Sequence, residues 1–428
     1  MKGQKGSKLC LAIMLGMLLL VGLPLTAAAQ EELTDMEQLG KSIFFDENLS
    51  INNNQSCASC HDPDWGWTGP HSNINSGGAV YEGSIEGQFG DRKPPSSAYA
   101  TQSPVFHMDK KGLFVGGNFW DGRATGEKLG NPAADQAQGP FLNPVEQALP
   151  DSACVVYRVC NASYSVSFED VWGDDACDIS WPDIEFDIVC SSENSEIPLS
   201  FEERAKSDMA YDRIALSIAG YEASPEVNAF TSKFDQTFKK MGNNKTKLTK
   251  EEQRGYALFR GKAMCHRCHT GNGQKALFTD FTFDNLGIPQ NPENPAGVAP
   301  DFVDPGLGGF LESVYYPEYM AELGKHKVPT LRNVDLRPFM DDVKAYGHNG
   351  YFKSLKGIVH FYNTRDVKEK CPEPGLYTEA EALAANCWPA PEVSENVNVD
   401  ELGNLGLTPG EEDAIVSFLK TLSDGYQP

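Results

Sequence analysis

The pentapeptide Cys57-Ala58-Ser59-Cys60-His61 returns 208 residues later as Cys265-His266-Arg267-Cys268-His269. Each copy is Cys-x-x-Cys-His, the attachment signature of a c-type haem. The two thiols add across the haem vinyl groups, and the adjacent histidine becomes the proximal iron ligand. The competing interpretation is a Cys-x-x-Cys redox pair or half a zinc site with a histidine beside it. Two copies in one exported chain favour haem. The sequence therefore predicts two covalent haems, at Cys57, Cys60 and His61 and at Cys265, Cys268 and His269.

Export is read from residues 1–29. Lys2, Lys5 and Lys8 precede an apolar run from Leu11 to Leu25, and Ala27-Ala28-Ala29 supplies a small-residue cleavage site. The run is short for a spanning helix, which needs about 20 apolar residues. The expectation is a signal peptide and a periplasmic protein with no transmembrane anchor. The formal charge is −24, and removal of three lysines and no acid with residues 1–29 takes it to −27. Such a field repels nucleic acid and attracts basic partners such as small cytochromes c.

Of 11 cysteines, Cys10 leaves with the signal peptide and four hold haem. Cys154, Cys160, Cys177, Cys190, Cys371 and Cys387 remain. An even number in an oxidising compartment points to three disulfides. Sequence order suggests Cys154–Cys160, Cys177–Cys190 and Cys371–Cys387, one of about 15 connectivities.

A chain of this length exceeds one typical domain, and the motif separation suggests one domain around each haem. We place these at 30–240 and 241–428. Apolar residues recur at helical spacing over 208–224, at Met209, Ile214, Leu216, Ile218 and Tyr221. Residues 240–250 are polar and read as a linker. A helix over 251–261 leads into the second motif, and a last helix over 408–422 starts at Thr408-Pro409. Alternating β-branched runs are scarce, whereas 40 glycines and 27 prolines imply long loops. The segment 151–200 is acidic, cysteine-rich and poor in helical pattern, and reads as a disulfide-stapled insertion. The fold class expected is mainly α.

Between the haem motifs stand Phe119-Trp120-Asp121-Gly122-Arg123, then Asp135-Gln136, then Asn143-Pro144-Val145-Glu146. After the second motif come Val328-Pro329-Thr330-Leu331-Arg332-Asn333, His348-Asn349-Gly350 and His360-Phe361-Tyr362-Asn363. This ordered set resembles the bacterial dihaem cytochrome c peroxidase family, which includes the MauG enzymes. The resemblance runs from about Leu39 to Leu422, with 151–200 outside it. It implies two facing cytochrome c-like haem domains with the peroxide-reactive haem in the first. It also implies that Trp120 lies between the haems, that Glu146 and Gln136 line the distal pocket, and that Tyr362 is the second axial ligand of the C-terminal haem. Tyr362 lies 14 residues after His348, the interval at which the family places this ligand.

These roles are chemically sensible. Cleaving an O–O bond needs a group that moves a proton from the near to the far oxygen, which a carboxylate can do. An amide cannot titrate but can hold peroxide by hydrogen bonds. The alternatives are a solvated loop acid for Glu146, a surface amide for Gln136 and core packing for Trp120.

Three departures from the family pattern matter. Many members carry a distal histidine ahead of the motif that corresponds to Arg92-Lys93-Pro94-Pro95-Ser96, yet 82–91 holds none. An open N-terminal haem follows, with His71 as the alternative removable ligand. Second, Lys93 replaces the asparagine that supplies a calcium ligand. Either calcium binds weakly through the backbone of Leu336 and Pro338, or an ammonium stands in for the ion, or Lys93 turns to solvent. Third, Tyr362 stands where many peroxidases carry methionine. An anionic phenolate favours the higher oxidation states of iron. If Tyr362 only packs, Met340 or His360 would be the ligand.

Three functions compete. The first is a peroxidase reducing hydrogen peroxide to water with electrons from a small cytochrome c, passed from the C-terminal haem through Trp120. The second is a MauG-like oxidase that uses ferryl haems to oxidise Trp or Tyr of a partner protein. The third is a dihaem electron carrier. Quaternary state is left open between monomer and homodimer.

Overall fold

The structure is a computed structural model. It describes residues 32–238, 246–271, 273–295, 302–372 and 376–427. The signal-peptide segment lies outside these residues, as does most of the 240–250 linker.

Helices of eight or more residues are the principal regular elements among the described residues. They are α1 (Asp35–Phe44), α2 (Pro132–Leu142), α3 (Ser152–Cys160), α4 (Ser165–Trp172) and α5 (Phe201–Ala223), then α6 (Lys250–Arg260), α7 (Gly306–Ser313), α8 (Leu355–Thr364) and α9 (Pro409–Leu419). The described strands are two residues long and pair only in twos. The fold is mainly helical, as expected.

Local chemistry accounts for the helix starts. Thr34 with Glu37, Thr249 with Glu252 and Thr408 with Glu411 each form a capping box, in which side chains satisfy backbone N–H groups that lack an intrahelical partner. The 208–224 pattern becomes the C-terminal two-thirds of α5, which begins earlier because Ser200 caps it at Glu203.

Two large hydrophobic cores form among the described residues, with two smaller clusters beside them. One gathers Leu39, Ile43, Phe44, Tyr99, Val155 and Ile218, and the other Phe259, Phe278, Phe352, Trp388, Ile415 and Phe418. Each is closed by a helix crossing that depends on a glycine. A Cβ on Gly40 of α1 would lie 1.9 Å from the Ser217 carbonyl oxygen of α5. A Cβ on Gly255 of α6 would lie 1.8 Å from that of Ala414 in α9. So the helix before each haem motif packs directly on a long helix far downstream, α1 on α5 and α6 on α9.

Two expectations fail. The segment 151–200 is not poor in helix: it forms α3 and α4, and Val155, Val156, Val159 and Phe168 are fully buried in the first core. Short, valine- and cysteine-rich helices carry weak propensity, and burial supplies what propensity lacks. The disulfides are Cys154–Cys190, Cys160–Cys177 and Cys371–Cys387. Only the last pairing matches. Cys154 and Cys160 share α3 six residues apart, which puts their side chains on different faces of one rigid helix, so each seeks a partner outside it.

Candidate haem sites

Each haem motif is a short turn ending in a histidine. The His61 Nδ1 lies 3.2 Å from the Trp67 carbonyl oxygen, and the His269 Nδ1 lies 2.9 Å from that of Phe278. A carbonyl only accepts, so Nδ1 carries the proton and Nε2 is left free as an iron ligand. Burial pulls the His61 pKa down to about 4, against its bond to Trp67, and lowers that of His269 as well. Both imidazoles are therefore neutral at pH 7, as ligation requires. Cys57, Cys60, Cys265 and Cys268 are the cysteines without a disulfide among the described residues. Each pair lines a cavity with its histidine, of about 200 Å³ at His61 and about 230 Å³ at His269. Two free thiols and a correctly protonated imidazole in each cavity fit a covalently bound haem.

The two cavities adjoin. Trp120, Lys93, Lys327 and Pro329 line both. The Trp120 indole donates to the Lys93 carbonyl at 2.8 Å, and the Lys327 backbone N–H donates to the Trp120 carbonyl at 2.8 Å. Trp120 is thus clamped from both sides.

Glu146 and Gln136 both line the His61 cavity. Glu146 accepts from the Asn143 side chain at 3.1 Å. Burial raises its pKa above the ordinary glutamate value, opposed by Asn143 and by the Arg123 charge. Arg123 lies 3.9 Å over the Phe119 ring and pairs with Asp121 at 2.6 Å. His61 is the only histidine among the described residues that line this cavity. His71 is exposed, stacks on Tyr81 and does not reach it.

Tyr362, on α8, lines the His269 cavity, and burial raises its phenol pKa. Met340 is 72 % exposed and His360 bonds Glu412 at 2.9 Å; neither lines this cavity. His348 bonds Glu392 at 2.9 Å and stacks at 3.7 Å on His326.

Lys93 does not turn to solvent. Its ammonium is buried, bonded to Thr68 Oγ1 at 2.7 Å and the Pro94 carbonyl at 3.1 Å, and desolvation lowers its pKa to about 8. The Leu336 carbonyl accepts from Lys344 at 2.9 Å, and Pro338 is exposed. The residues present do not fit a calcium ion.

Sequence reasoning missed several groups here. Lys327 is half-buried and donates to Ser103 at 3.1 Å and to Asn118 at 2.7 Å. Glu222 lines the His61 cavity, with its pKa raised to about 8 by burial and its Oε2 without a hydrogen-bond partner among the described residues. An acid on the apolar face of 208–224 was the available signal. Arg92 holds Asp304 with two bonds of 2.6 Å and Asp121 with a third, across 212 residues of sequence, and no local pattern announces that.

Comparison with known proteins agrees with this geometry. Residues 34–243 match the family model for di-haem cytochrome c peroxidase. The chain is 34 % identical over 401 residues to the methylamine utilization protein MauG of Paracoccus denitrificans, covering 91 % of this chain and 89 % of that protein. It is 26 % identical over 338 residues to cytochrome c551 peroxidase of Nitrosomonas europaea, covering 78 % and 75 %. The crystal structure of the diheme peroxidase BthA from Burkholderia thailandensis superposes with a TM-score of 0.68 at 27 % identity, covering 91 % of this chain and 86 % of that one. With its two haem-ready cavities and a relative this similar along nearly its whole length, the chain belongs to the di-haem cytochrome c peroxidase family, MauG proteins included.

Proposed function

We propose that this protein reduces hydrogen peroxide to water at the His61 cavity, with electrons that arrive from an external donor through the His269 cavity and Trp120. Trp120 carries the proposal: it lines both cavities, and its indole N–H is held by the carbonyl of Lys93, which also lines both. The reaction consumes two electrons and two protons per peroxide and releases two waters. The haems, bound at His61 and His269, supply the electron-transfer chemistry and the iron face on which peroxide is reduced. Everything else falls to the chain. Gln136 holds peroxide by hydrogen bonds, and Glu146 takes the proton from the near oxygen and returns it to the far one. A raised pKa suits that task, because an acid–base near the working pH does both halves well. Among the described residues no second histidine lines this cavity, which supports a first haem left open to peroxide.

The domains we assign are 30–240 around the first haem and 241–428 around the second. Residues 1–29 would direct the chain to the periplasm. Among the described residues no helix is long and apolar enough to cross a membrane. The acidic surface suits a basic donor such as a small cytochrome c.

One observation favours a second reading, a MauG-like oxidation of Trp or Tyr on a partner protein. Tyr362 is the one of the three candidate ligands that lines the His269 cavity, and an oxygen ligand disfavours easy reduction. The deciding experiment treats the purified holoprotein with stoichiometric peroxide and follows the haem spectra. Reduced cytochrome c is then added. Rapid multiple turnover supports the peroxidase. Long-lived oxidised haem that no cytochrome discharges supports the protein oxidase. No reaction with peroxide leaves the electron carrier.

A further inference from the structure

Lys344 lines the His269 cavity and is buried, 4 % exposed. Its Nζ donates to three backbone carbonyls, those of Trp65 at 2.7 Å, Asn333 at 2.9 Å and Leu336 at 2.9 Å. Trp65 follows the first haem motif, Asn333 ends the Val328–Asn333 motif and Leu336 lies just beyond it, so oxygens from two segments remote in sequence converge on one Nζ. A ring of carbonyl oxygens is what a hard cation seeks. Three acceptors also match the three N–H groups of an ammonium, whereas a neutral amine has only two. Gly66 closes the cage. Its φ is +70°, and a Cβ there would lie 2.8 Å from the Asn333 carbonyl oxygen and 3.1 Å from Nζ itself.

We propose that the Lys344 ammonium is a tethered cation that permanently fills this carbonyl cage, that the native chain binds no calcium there, and that a free cation enters only once the side chain is removed. Burial first, and then the Lys93 charge, push the Lys344 pKa well below the ordinary lysine value, and the three carbonyl acceptors hold the third proton against that pull. Any calcium ion would have to displace Lys344 from the Leu336 oxygen and then face the same Lys93 charge. The cage needs no ion from solution, so the Trp65 turn stays docked on 333–336 whatever the surrounding calcium.

The test uses full-length holoprotein and calcium as the probe. Native protein dialysed against calcium should retain far less than one equivalent by elemental analysis. Its melting temperature should be the same in EDTA and in millimolar calcium. One tightly held calcium per chain, or a lower melting temperature in EDTA, overturns the proposal without any variant. Lys344→Ala should melt several degrees lower, because three buried carbonyls lose their donor. Calcium or propylammonium should restore part of that loss in the variant and do nothing to the native protein. Lys344→Met keeps the stem without the charge and should be destabilised and not rescued. Native-like stability of Lys344→Met, or a Lys344→Ala protein indifferent to both cations, sinks the cage reading.

Discussion

Replacing Glu146 by glutamine tests the proton-transfer step most directly. The carboxyl and the amide have nearly the same shape, and Asn143 still has a side-chain oxygen to bond at 3.1 Å, so the cavity should survive. The relay should not, because an amide cannot carry a proton at neutral pH. Losing one general acid–base costs about 10²–10⁴-fold, or about 3–5 kcal/mol of barrier. The structure places the expected loss near the lower end. Asp91 lies close enough to raise the Glu146 pKa and also lines the cavity, so it can relay in part. The double variant with Asp91→Asn should therefore lose more. The pH profile adds an independent check. Burial raises the Glu146 pKa, so the ionised base is lost on acidification earlier than for an ordinary glutamate, and the acidic limb of kcat/KM should lie above the usual glutamate range. Asn143→Ala removes a bond that lowers that pKa, so the limb should move further up. In Glu146→Gln the raised limb should disappear, and in the double variant with Asp91→Asn no limb from this cavity should remain. Stopped-flow reaction of the holoprotein with peroxide measures both quantities. Turnover within twofold of native, with the acidic limb in place, would refute the role of Glu146.

Intact mass of the mature protein should show two covalent haems, and a single haem from a maturation-competent host would contradict the paired motifs. Tyr362→Met should raise the reduction potential of the C-terminal haem and speed its reduction by cytochrome c; an unmoved potential in a redox titration argues against ligation by Tyr362. Asp235→Asn should destabilise the fold by about 3–5 kcal/mol, because Arg332, 1 % exposed at its side chain, would lose a carboxylate held at 2.7 and 2.9 Å. Asp424, 3.9 Å away, tempers the loss, and chemical denaturation measures it. The same pairing depresses the Asp235 pKa, so its stabilisation is present above the ordinary aspartate range and is lost as pH falls through the native value, which an Asp235→Asn acid-unfolding curve should not show. Opening Cys154–Cys190 should cost about 4 kcal/mol for a 36-residue separation, and peptide mapping that links Cys154 to Cys160 instead would refute the observed pairing.

Sequence by itself determined what short-range chemistry controls. The haem attachment points are covalent and lie within five residues. The capping boxes at Thr34, Thr249 and Thr408 act over three, so the helices at 250–260 and 409–419 were legible, ragged only at their ends. The order of motifs around Trp120, Gln136, Glu146 and Tyr362 was enough to name the family. Tertiary structure decided whatever depends on groups remote in sequence. Nothing local tells Cys154 to choose Cys190 over Cys160, because the choice follows from the rigidity of α3 and from what packs on each of its faces. Nor does any pattern near Arg92 foretell Asp304. The cation question shows the division most clearly. Residue 93 announced that a charge had changed, but the ammonium that fills the cage belongs to Lys344, 251 positions away, and its three acceptors are backbone carbonyls. Every residue but its carbonyl's orientation is written in the sequence, and that orientation exists only once Trp65, Asn333 and Leu336 have been folded to the same point.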